Sequence, residues 1–273
     1  IGVDEVACLI DYGIPTAKVL ESIRRVGKVI ERAKPATGEA REDWLAASNS
    51  RPRAHLRTNL RKGSRRKLQE RLAHEGIVTE PIGTCGLAVE GRANLLGSRA
   101  FLEGRFELQD LASQQVAEKV PGDRVLDFCA GAGGKSLALA SRGVRVHAWD
   151  VRARALDELR KRAKRAGTPV HVGPPQGTFP TVLVDAPCSG SGVWRRHPEY
   201  RWRLGDHGGL AVLEQAASYV EPGGTLVYAT CSALRSENEG VIEAFGWRVQ
   251  DSLRTAPHTG DTDGMYAAIL RRD

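Results

Sequence analysis

Two cysteines lie where a parallel sheet places reactive groups, directly after predicted strands. Cys188 follows the strand Thr181–Asp185, and Cys231 ends the strand that begins at Thr225. A lone cysteine is more often a buried, inert residue than a nucleophile. Two cysteines at neighbouring strand ends, one of them just after Asp185, indicate thiol chemistry. A thiolate placed there can form a covalent intermediate.

A glycine-rich segment follows an earlier strand. It runs from Asp127 to Ser136 and reads DFCAGAGGKS. Small residues after a strand let the backbone approach a ligand closely, and the next helix offers free N–H groups at its start. The glycine spacing differs from that of the phosphate loop GxxxxGK[ST], which excludes that site type. The segment alone leaves a dinucleotide, a phosphate or no ligand as alternatives.

Two residues of opposite charge accompany this segment: Lys135 lies within it, and Asp150 follows it along the chain. Asp150 ends the next strand, about 20 residues after the glycine-rich segment, where an acid can accept hydrogen bonds from both hydroxyls of a ribose. It can also cap the helix predicted at Val151–Ala166, and the two roles are compatible. Lys135 fits a helix-surface position as well as a catalytic one that lowers the pKa of a thiol.

These residues need a sheet that brings the ends of several strands together. From Pro121 onward, predicted strands alternate with predicted helices, which is typical of a parallel sheet covered on both faces. Such a sheet binds ligands at the carboxyl ends of its strands. We therefore predict an α/β fold with a mostly parallel, doubly wound, Rossmann-like domain at 121–273. The predicted strands are Arg124–Phe128, Val144–Trp149, Thr181–Asp185, Thr225–Cys231 and Tyr266–Leu270, and the predicted helices are Lys135–Arg142, Val151–Ala166, Gly209–Val220 and Glu237–Phe245.

Two further segments precede this domain. Residues 48–120 mix short apolar runs with Gly and Pro, which predicts a small α+β module. Its predicted helices are Leu68–Leu72 and Leu108–Val120, and its predicted strands are Leu87–Val89 and Asn94–Leu96. Residues 1–47 have apolar residues at helical spacing, broken by Pro35 and Gly38, which predicts a short helical extension.

Composition narrows the class of protein. The 273 residues are 41% hydrophobic and 27% charged, enough for one substantial core and a smaller module. No apolar stretch approaches the roughly 20 residues of a membrane span, and no secretion signal is recognisable. Five cysteines without a CxxC pair argue against a disulfide framework and a zinc site. We expect a soluble, cytoplasmic monomer without a metal.

Basic residues are concentrated in two stretches of a chain whose net charge is +7. Arg51–Arg71 holds nine Lys and Arg residues against one acid, and Arg195–Arg203 alternates basic with aromatic residues. Such surfaces attract phosphate by releasing counterions, and aromatic rings stack on unpaired bases. One such stretch alone would fit an ordinary solvated surface. Two together favour a nucleic-acid partner.

Seven stretches of the chain resemble, in order, those of the RsmB-like (Nop/Sun) RNA cytosine methyltransferases. They are RTNLRKGSRRKLQERL, FELQDLASQ, LDFCAGAGGKS, LVDAPCSGSG, RRHPEYRWR, YATCS followed by SENE, and DGMYAAIL. Each stretch alone is only suggestive, but seven in the right order are highly specific. The resemblance extends from about Ser48 to Leu270.

This resemblance implies a cofactor, S-adenosyl-L-methionine, and a reaction, methylation of cytosine carbon-5 in RNA. It implies that Cys231 is the nucleophile and that Cys188 helps to release the product. Asp185 would lie between cofactor and base, in a position that we expect to be buried, and the resemblance favours a catalytic role for Lys135. The implied cofactor-binding residues are Cys129, Ala130, Gly131, Ala132, Gly133, Gly134, Lys135, Asp150 and Asp185.

The implied substrate is single-stranded or looped RNA, because the base must leave its stack to reach Cys231. The predicted RNA contacts are Arg57, Asn59, Arg61, Lys62, Arg195, Arg196, His197 and Arg203. The chain also departs from the family pattern. Ala132 replaces the usual Pro, and Pro174 stands where the family has an acid that contacts adenine. The connections 173–181 and 245–247 are short.

Ribosomal RNA of the small subunit is the expected substrate, with transfer RNA as the alternative. A non-catalytic RNA-binding factor for ribosome assembly is a third interpretation, disfavoured by the intact Cys231, Cys188, Asp185 and Lys135. DNA cytosine methyltransferases use the cysteine of the PC motif as nucleophile and do not need Cys231. Amino-methylating enzymes would have an aromatic residue after an Asp/Asn-Pro-Pro motif, which DAPC lacks.

Overall fold

The computed structural model describes residues 41–202, 205 and 207–273. Most of the predicted helical extension, 1–47, lies outside the described residues, as does Arg203. The first described element is helix α1 (Arg41–Asn49). None of the helices in the described part of the chain combines the length and the apolar character that a membrane crossing requires.

The module at 48–120 contains an antiparallel sheet of four short strands in the order β2-β3-β1-β4. Its strands are β1 (His55–Thr58), β2 (Thr79–Ile82), β3 (Gly86–Val89) and β4 (Phe106–Leu108), and its helices are α2 (Arg65–His74) and α3 (Arg99–Leu102). Leu56, Leu72 and Phe106 are fully buried in its core. The predicted strand Asn94–Leu96 is wrong: it is a turn in which the Asn94 side chain accepts a hydrogen bond from Gly97 N.

Helix α4 (Leu111–Lys119) begins after β4, with Asp110 as its N-cap. Its buried Ala112 and Val116 pack against Ala229 and Ala267 of the larger sheet. This helix, which we predicted at the end of the module, therefore packs against the larger sheet. The domain boundary predicted at residue 120 stays a prediction.

The larger sheet has seven strands in the order β10-β11-β9-β8-β5-β6-β7. Strands β7, β6, β5, β8 and β9 are parallel, and β11 is antiparallel to both β9 and β10. The strands are β5 (Arg124–Asp127), β6 (Arg145–Ala148), β7 (His171–Val172), β8 (Phe179–Asp185), β9 (Val220–Thr230), β10 (Arg248–Arg254) and β11 (Tyr266–Arg271). The prediction of a mostly parallel sheet is confirmed. Strands β7 and β10 were not predicted, because β7 has only two residues and β10 is an exposed edge.

Helices cover both faces of this sheet. The helices are α5 (Gly134–Ser141), α6 (Ala153–Ala166), α7 (Gly209–Ala217) and α8 (Glu239–Phe245), and short 3-10 turns lie at Ser191–Val193, Pro198–Trp202 and Arg235–Glu237. Successive strand residues point to opposite faces. Val182 accordingly packs in the cluster that contains Leu213 of α7, and Leu183 in the cluster that contains Leu159 of α6. Packing on both faces holds the carboxyl ends of β5, β6, β8 and β9 at one edge.

Candidate active site

The two strand-end thiols lie side by side. Strands β8 and β9 are adjacent and parallel, with Asp185 in register with Ala229, so the loops that follow them leave the sheet together. Cys188 Sγ and Cys231 Sγ are 3.5 Å apart. Gly192 N also donates a hydrogen bond to Cys231 O at 2.9 Å, which joins the two loops through their backbones. The structure thus brings together the two cysteines that the sequence placed 43 residues apart.

The contact between the sulfurs makes the two thiols unequal. The hydrogen bond from Cys231 lowers the pKa of Cys188, against an opposing effect of burial. The same hydrogen bond raises the pKa of Cys231 well above its ordinary value, and burial raises it further. A thiolate that accepts an S–H bond is stabilised, whereas two buried thiolates side by side would repel each other. The pair therefore loses its first proton, from Cys188, more easily than a lone buried thiol would. The second proton, on Cys231, is then held by the hydrogen bond to the Cys188 thiolate.

Lys135 and Asp185 form an ion pair beside the thiols. Lys135 Nζ lies 2.6 Å from Asp185 Oδ2. The lysine side chain is 7% exposed and the aspartate side chain 35% exposed. The burial expected for Asp185 is therefore not observed, because its carboxylate faces an open cavity. Lys135 is therefore paired with Asp185 and does not lie on an exposed helix surface.

The glycine-rich segment makes a tight turn between β5 and α5. Gly133 has φ 84°, a left-handed conformation that favours glycine, and it precedes α5 directly. A Cβ on Gly133 would lie 2.5 Å from Leu159 Cγ, so helix α6 packs directly on this turn. Arg162, also on α6, donates to the Ala132 carbonyl at 2.7 Å. The turn is thus fixed from outside by α6.

Arg162 also connects this turn to the module. Its Nη2 lies 2.9 Å from Glu107 Oε2 on β4, and Arg165 pairs with the other oxygen of the same carboxylate. The Glu107 side chain is only 3% exposed. A buried carboxylate that meets two guanidinium groups is well compensated, whereas loss of either side leaves an unpaired buried charge. A residue of the small sheet thereby holds the backbone of the glycine-rich turn.

Asp150 faces the same turn from the end of β6. Its Oδ2 accepts a hydrogen bond from Gly131 N at 2.8 Å, and its Oδ1 accepts one from Arg152 N at 2.9 Å. Burial would raise the pKa of Asp150, but the hydrogen bonds from Arg152 and Gly131 outweigh it and lower this pKa. The prediction that Asp150 caps α6 is wrong. The N-cap is Arg152, and its side chain makes no capping bond. Asp150 lies two residues earlier, where its carboxylate is bonded to the glycine-rich turn through Gly131 N.

Asp127 was not singled out from the sequence, although it ends β5 at the same edge. Its Oδ2 accepts a hydrogen bond from Ser136 Oγ at 2.6 Å, whereas its buried Oδ1 has no hydrogen-bond partner among the described residues. Burial raises the pKa of Asp127 to about 7. The signal was available, since Asp127 is an acid at a strand end like Asp150 and Asp185. Cys129 lies nearby, and burial raises its pKa to about 12, so this thiol stays neutral.

A single cavity of about 680 Å³ connects these groups. It lies at the carboxyl ends of the strands and has the size of a small-molecule site. Its lining includes the strand-end acids, the glycine-rich turn and both thiols, namely Asp127, Gly131, Asp150, Asp185, Cys188 and Cys231. A glycine-rich turn, the Asp150 carboxylate beside it and polar groups near two thiols suit a nucleoside with an amino-acid tail. The residues present therefore fit S-adenosyl-L-methionine.

The opposite end of the cavity is more open. Val151 follows Asp150 in the lining and is 80% exposed. Strand β7 ends at Val172, and Pro174, at the position of the family's adenine-contacting acid, does not line the cavity. Ala132, at the position of the usual Pro, lines the cavity and offers its carbonyl to Arg162.

The structure gives two of the predicted RNA contacts a different role. Arg57 is buried, and its guanidinium donates to Gln109 Oε1 at 2.6 Å and to Ser141 Oγ at 3.2 Å. Asn59 is also buried, and its Nδ2 donates to Gly104 O and to Ala166 O at 2.8 and 2.7 Å. Both side chains connect the module to the larger sheet. In the structure these two side chains make internal contacts rather than the exposed RNA contacts that we predicted.

Two arginines follow the loop at 186–190, which we call the PC loop after Pro187 and Cys188, and both are engaged within the protein. Arg195 Nε and Arg196 Nε each lie 2.7 Å from a different oxygen of Asp263, and Arg196 also pairs with Asp110 at 2.7 Å. The Arg195 side chain is buried, and that of Arg196 is about one-quarter exposed. These ion pairs join the PC loop, the module and the segment before β11. The structure thus engages Arg195 and Arg196, both predicted as RNA contacts, in ion pairs within the protein.

Three other predicted contacts are at the surface. Arg61 and Lys62 are exposed. His197 is exposed too, and its ring stacks on Tyr200 with centroids 4.7 Å apart. Tyr200 packs on Gly190, where a Cβ would lie 2.4 Å from the ring. The stacked pair thus adjoins the PC loop. Whether these surface residues bind RNA stays a prediction.

Comparison with known proteins identifies the family. A family model described as 16S rRNA methyltransferase RsmB/F matches residues 114–252, about half of the chain, and includes the glycine-rich segment and both thiols. The chain belongs to the RsmB/F family of 16S rRNA methyltransferases. A second model, the RsmF/B-like ferredoxin-like domain, matches residues 29–94. The predicted family and its cofactor, S-adenosyl-L-methionine, are confirmed.

Individual relatives agree with this family. Ribosomal RNA small subunit methyltransferase B of Thermus thermophilus is 40% identical over 192 residues, which are 59% of this chain and 48% of the relative. The protein of the same name from Klebsiella pneumoniae subsp. pneumoniae is 32% identical over 281 residues, covering 89% of this chain and 65% of the relative. The chain thus spans about half to two thirds of the length of these curated relatives.

A solved structure shows the same fold. The crystal structure of NSun6 from Pyrococcus horikoshii with SFG superposes with a TM-score of 0.79 at 19% identity, and the match covers 89% of this chain and 97% of that one. The predicted Rossmann-like methyltransferase fold is confirmed.

Proposed function

We propose that the protein methylates carbon-5 of cytosine in RNA, with small-subunit ribosomal RNA as substrate, through a covalent bond between Cys231 and the base. The observation that carries this proposal is the contact between Cys188 Sγ and Cys231 Sγ, 3.5 Å apart in the cavity that also holds the glycine-rich turn. The names of the curated relatives support ribosomal RNA rather than transfer RNA. The intact thiol pair disfavours a non-catalytic assembly factor.

The chemistry explains why a thiol is needed. Carbon-5 of cytosine is too weak a nucleophile to accept a methyl group unaided. Addition of the Cys231 thiolate to carbon-6 pushes electrons onto carbon-5 and activates it. When bound, S-adenosyl-L-methionine supplies the electrophilic methyl group. The remaining steps fall to residues of this chain.

Cys188 manages the proton of Cys231 in this proposal. The hydrogen bond lowers the pKa of Cys188 and so favours its thiolate, and as Cys231 attacks, its proton passes along this bond to the Cys188 thiolate. After carbon-5 has gained a methyl group, its proton passes to solvent in the open cavity. The electrons of that C–H bond form the double bond between carbon-5 and carbon-6 as the bond from carbon-6 to Cys231 breaks. Cys188 then returns the proton to the departing sulfur. This assigns Cys188 to product release, as the resemblance implied.

Asp185 and Lys135 hold the polar edge of the base. Asp185 faces the cavity while Lys135 compensates its charge at 2.6 Å. Lys135 can donate a hydrogen bond to ring nitrogen-3, and Asp185 can accept one from the exocyclic amino group, as charge develops on the ring. Asp150, at the far side of the glycine-rich turn, accepts hydrogen bonds from the ribose of the cofactor.

The test is methyl transfer to RNA from a strain that lacks the enzyme. The purified protein and labelled cofactor are incubated with small-subunit ribosomal RNA and, separately, with transfer RNA, and the nucleosides are identified by mass spectrometry. We expect 5-methylcytosine in the ribosomal RNA. A different methylated nucleoside would refute the proposed chemistry, and methylation of transfer RNA alone would refute the proposed substrate.

A further inference from the structure

Glu237 lies between the two thiol loops, in the SENE segment that follows Cys231. Ser189 donates two hydrogen bonds to its carboxylate, from N to Oε1 at 2.8 Å and from Oγ to Oε2 at 2.6 Å. Ser232 Oγ donates a third bond to Oε2. Ser189 follows Cys188 directly, and Ser232 follows Cys231. One carboxylate therefore accepts hydrogen bonds from the neighbour of each thiol.

The surroundings of Glu237 fix its own position. Its carbonyl accepts a hydrogen bond from Tyr228 OH at 2.7 Å. The next residue, Asn238, is fully buried; it donates to Ser232 O at 2.9 Å and accepts from Thr230 Oγ1 at 2.5 Å. The Glu237 side chain is only 13% exposed. A carboxylate held in this way is a rigid acceptor, and hydrogen bonds to a charged group are the stronger kind.

Other bonds between the loops do not depend on this carboxylate. Ser191 Oγ lies 3.1 Å from Ser232 Oγ, and Gly192 N donates to Cys231 O. The strands that precede the loops are held by buried apolar residues such as Val184 and Leu226. A change at Glu237 should therefore alter the separation of the sulfurs without unfolding the domain.

We propose that Glu237 is a positioning residue that sets the distance between Cys188 and Cys231. It reaches the chemistry only through Ser189 and Ser232. The placement of the sulfurs can be judged without any assumption about the reaction. The kinetic consequence rests on the proposed function, because it requires that the two thiols act on one base.

The direct test measures sulfur spacing with phenylarsine oxide, whose arsenic condenses with two nearby thiols, forming two As–S bonds and releasing one water. The wild type should bind one equivalent, and Cys188→Ala should lose this chelation.

Glu237→Asp keeps the charge but shortens the side chain, and we expect its affinity for phenylarsine oxide to fall about tenfold. Glu237→Gln keeps the length and should lose less. Glu214→Gln, at an exposed position of α7, is the matched control and should bind like the wild type.

Equal or tighter arsenical binding by Glu237→Asp would overturn the proposal. If that variant does not fold, Glu237→Gln decides instead, and wild-type affinity there overturns it equally. In turnover, Glu237→Asp should lower kcat about tenfold and leave the KM for RNA within about twofold. Unchanged kcat with a raised KM would contradict a positioning role. Full turnover by Cys231→Ala would refute the proposed function, while the arsenical affinities would still decide the role of Glu237.

Discussion

The two ends of the cavity differ in how firmly they are built. At the thiol end, Cys188 and Cys231 are in contact, Lys135 pairs with Asp185, and Glu237 bonds both loops. At the far end, beyond Asp150, the exposed Val151 lines a more open region.

This difference separates two demands on the site. Bond formation requires reacting atoms within a few tenths of an ångström of their proper positions, which only a dense hydrogen-bond network can guarantee. Binding the outer part of a cofactor tolerates looser contacts. Variants at the thiol end should therefore change kcat, and variants at the far end should change the KM for the cofactor.

The largest expected effect is that of Cys231→Ala. Loss of the nucleophile should lower methyl transfer by at least about a thousandfold. Cofactor binding, measured by calorimetry, should stay as in the wild type because Cys231 does not hold the cofactor. Cys85→Ala, outside this cavity, is the matched control and should remain active. Substantial turnover by Cys231→Ala would remove the thiol end from the chemistry.

Cys188→Ala should separate attack from release. Without Cys188 the proton is not returned to the departing sulfur, and we expect turnover to fall about a hundredfold while a covalent protein–RNA complex accumulates. The complex is seen as a band that survives denaturing electrophoresis. The double variant with Cys231→Ala should show no band. Absence of the band in Cys188→Ala alone would exclude the release role.

Lys135→Met tests the ion pair beside the thiols. Removal of the cation leaves Asp185 uncompensated, and we expect kcat to fall about thirtyfold with a smaller change in the KM for the cofactor. Lys164→Met, near the C-terminal end of α6, is the control for loss of one positive charge. A change confined to the KM would place Lys135 with the cofactor instead.

Asp150→Ala should affect the far end. We expect the KM for the cofactor to rise about tenfold and kcat at saturation to stay nearly constant. Because hydrogen bonds lower the pKa of Asp150, the carboxylate loses its charge only when the pH falls below its ordinary range. Cofactor affinity should therefore be insensitive to protonation of Asp150 between about pH 5 and pH 8. A loss of affinity in Asp150→Ala equal to the loss in kcat would contradict the division of roles.

Val151→Ala should have the smallest effect. The side chain is largely exposed, so removal of its methyl groups should change the KM for the cofactor by no more than about threefold. Steady-state kinetics at several cofactor concentrations measure this. A tenfold or greater change would show that the open end closes tightly when the cofactor binds.

The sequence predicted the strand ends well and the fate of its charges poorly. Apolar runs alternating with helical periods located the ends of β8 and β9, and topology alone brought Cys188 and Cys231 together. The basic stretches were misread in part because burial depends on partners far away in sequence. Arg196 meets Asp263 across 67 residues, and Arg57 meets Ser141 across 84. No local pattern in a single sequence reports such pairs.

Short or exposed strands were missed for a related reason. Strand β1 carries Arg57 in the middle of a buried run, so its alternation is hidden, and β10 is exposed along nearly its whole length. The cap assigned to Asp150 failed because this carboxylate is bonded to Gly131 in another loop. Local rules locate an element, whereas long-range contacts decide which of several compatible bonds a side chain makes.

The path from Glu107 through Arg162 to the Ala132 carbonyl has a practical consequence for protein engineering. The larger sheet cannot simply be combined with another module, because Glu107 of the small sheet helps to hold Arg162 against its glycine-rich turn. A chimera that grafts a different RNA-reading head onto this sheet must also bring an acid that neutralises Arg162. Without such an acid, we expect the chimera to bind S-adenosyl-L-methionine more weakly.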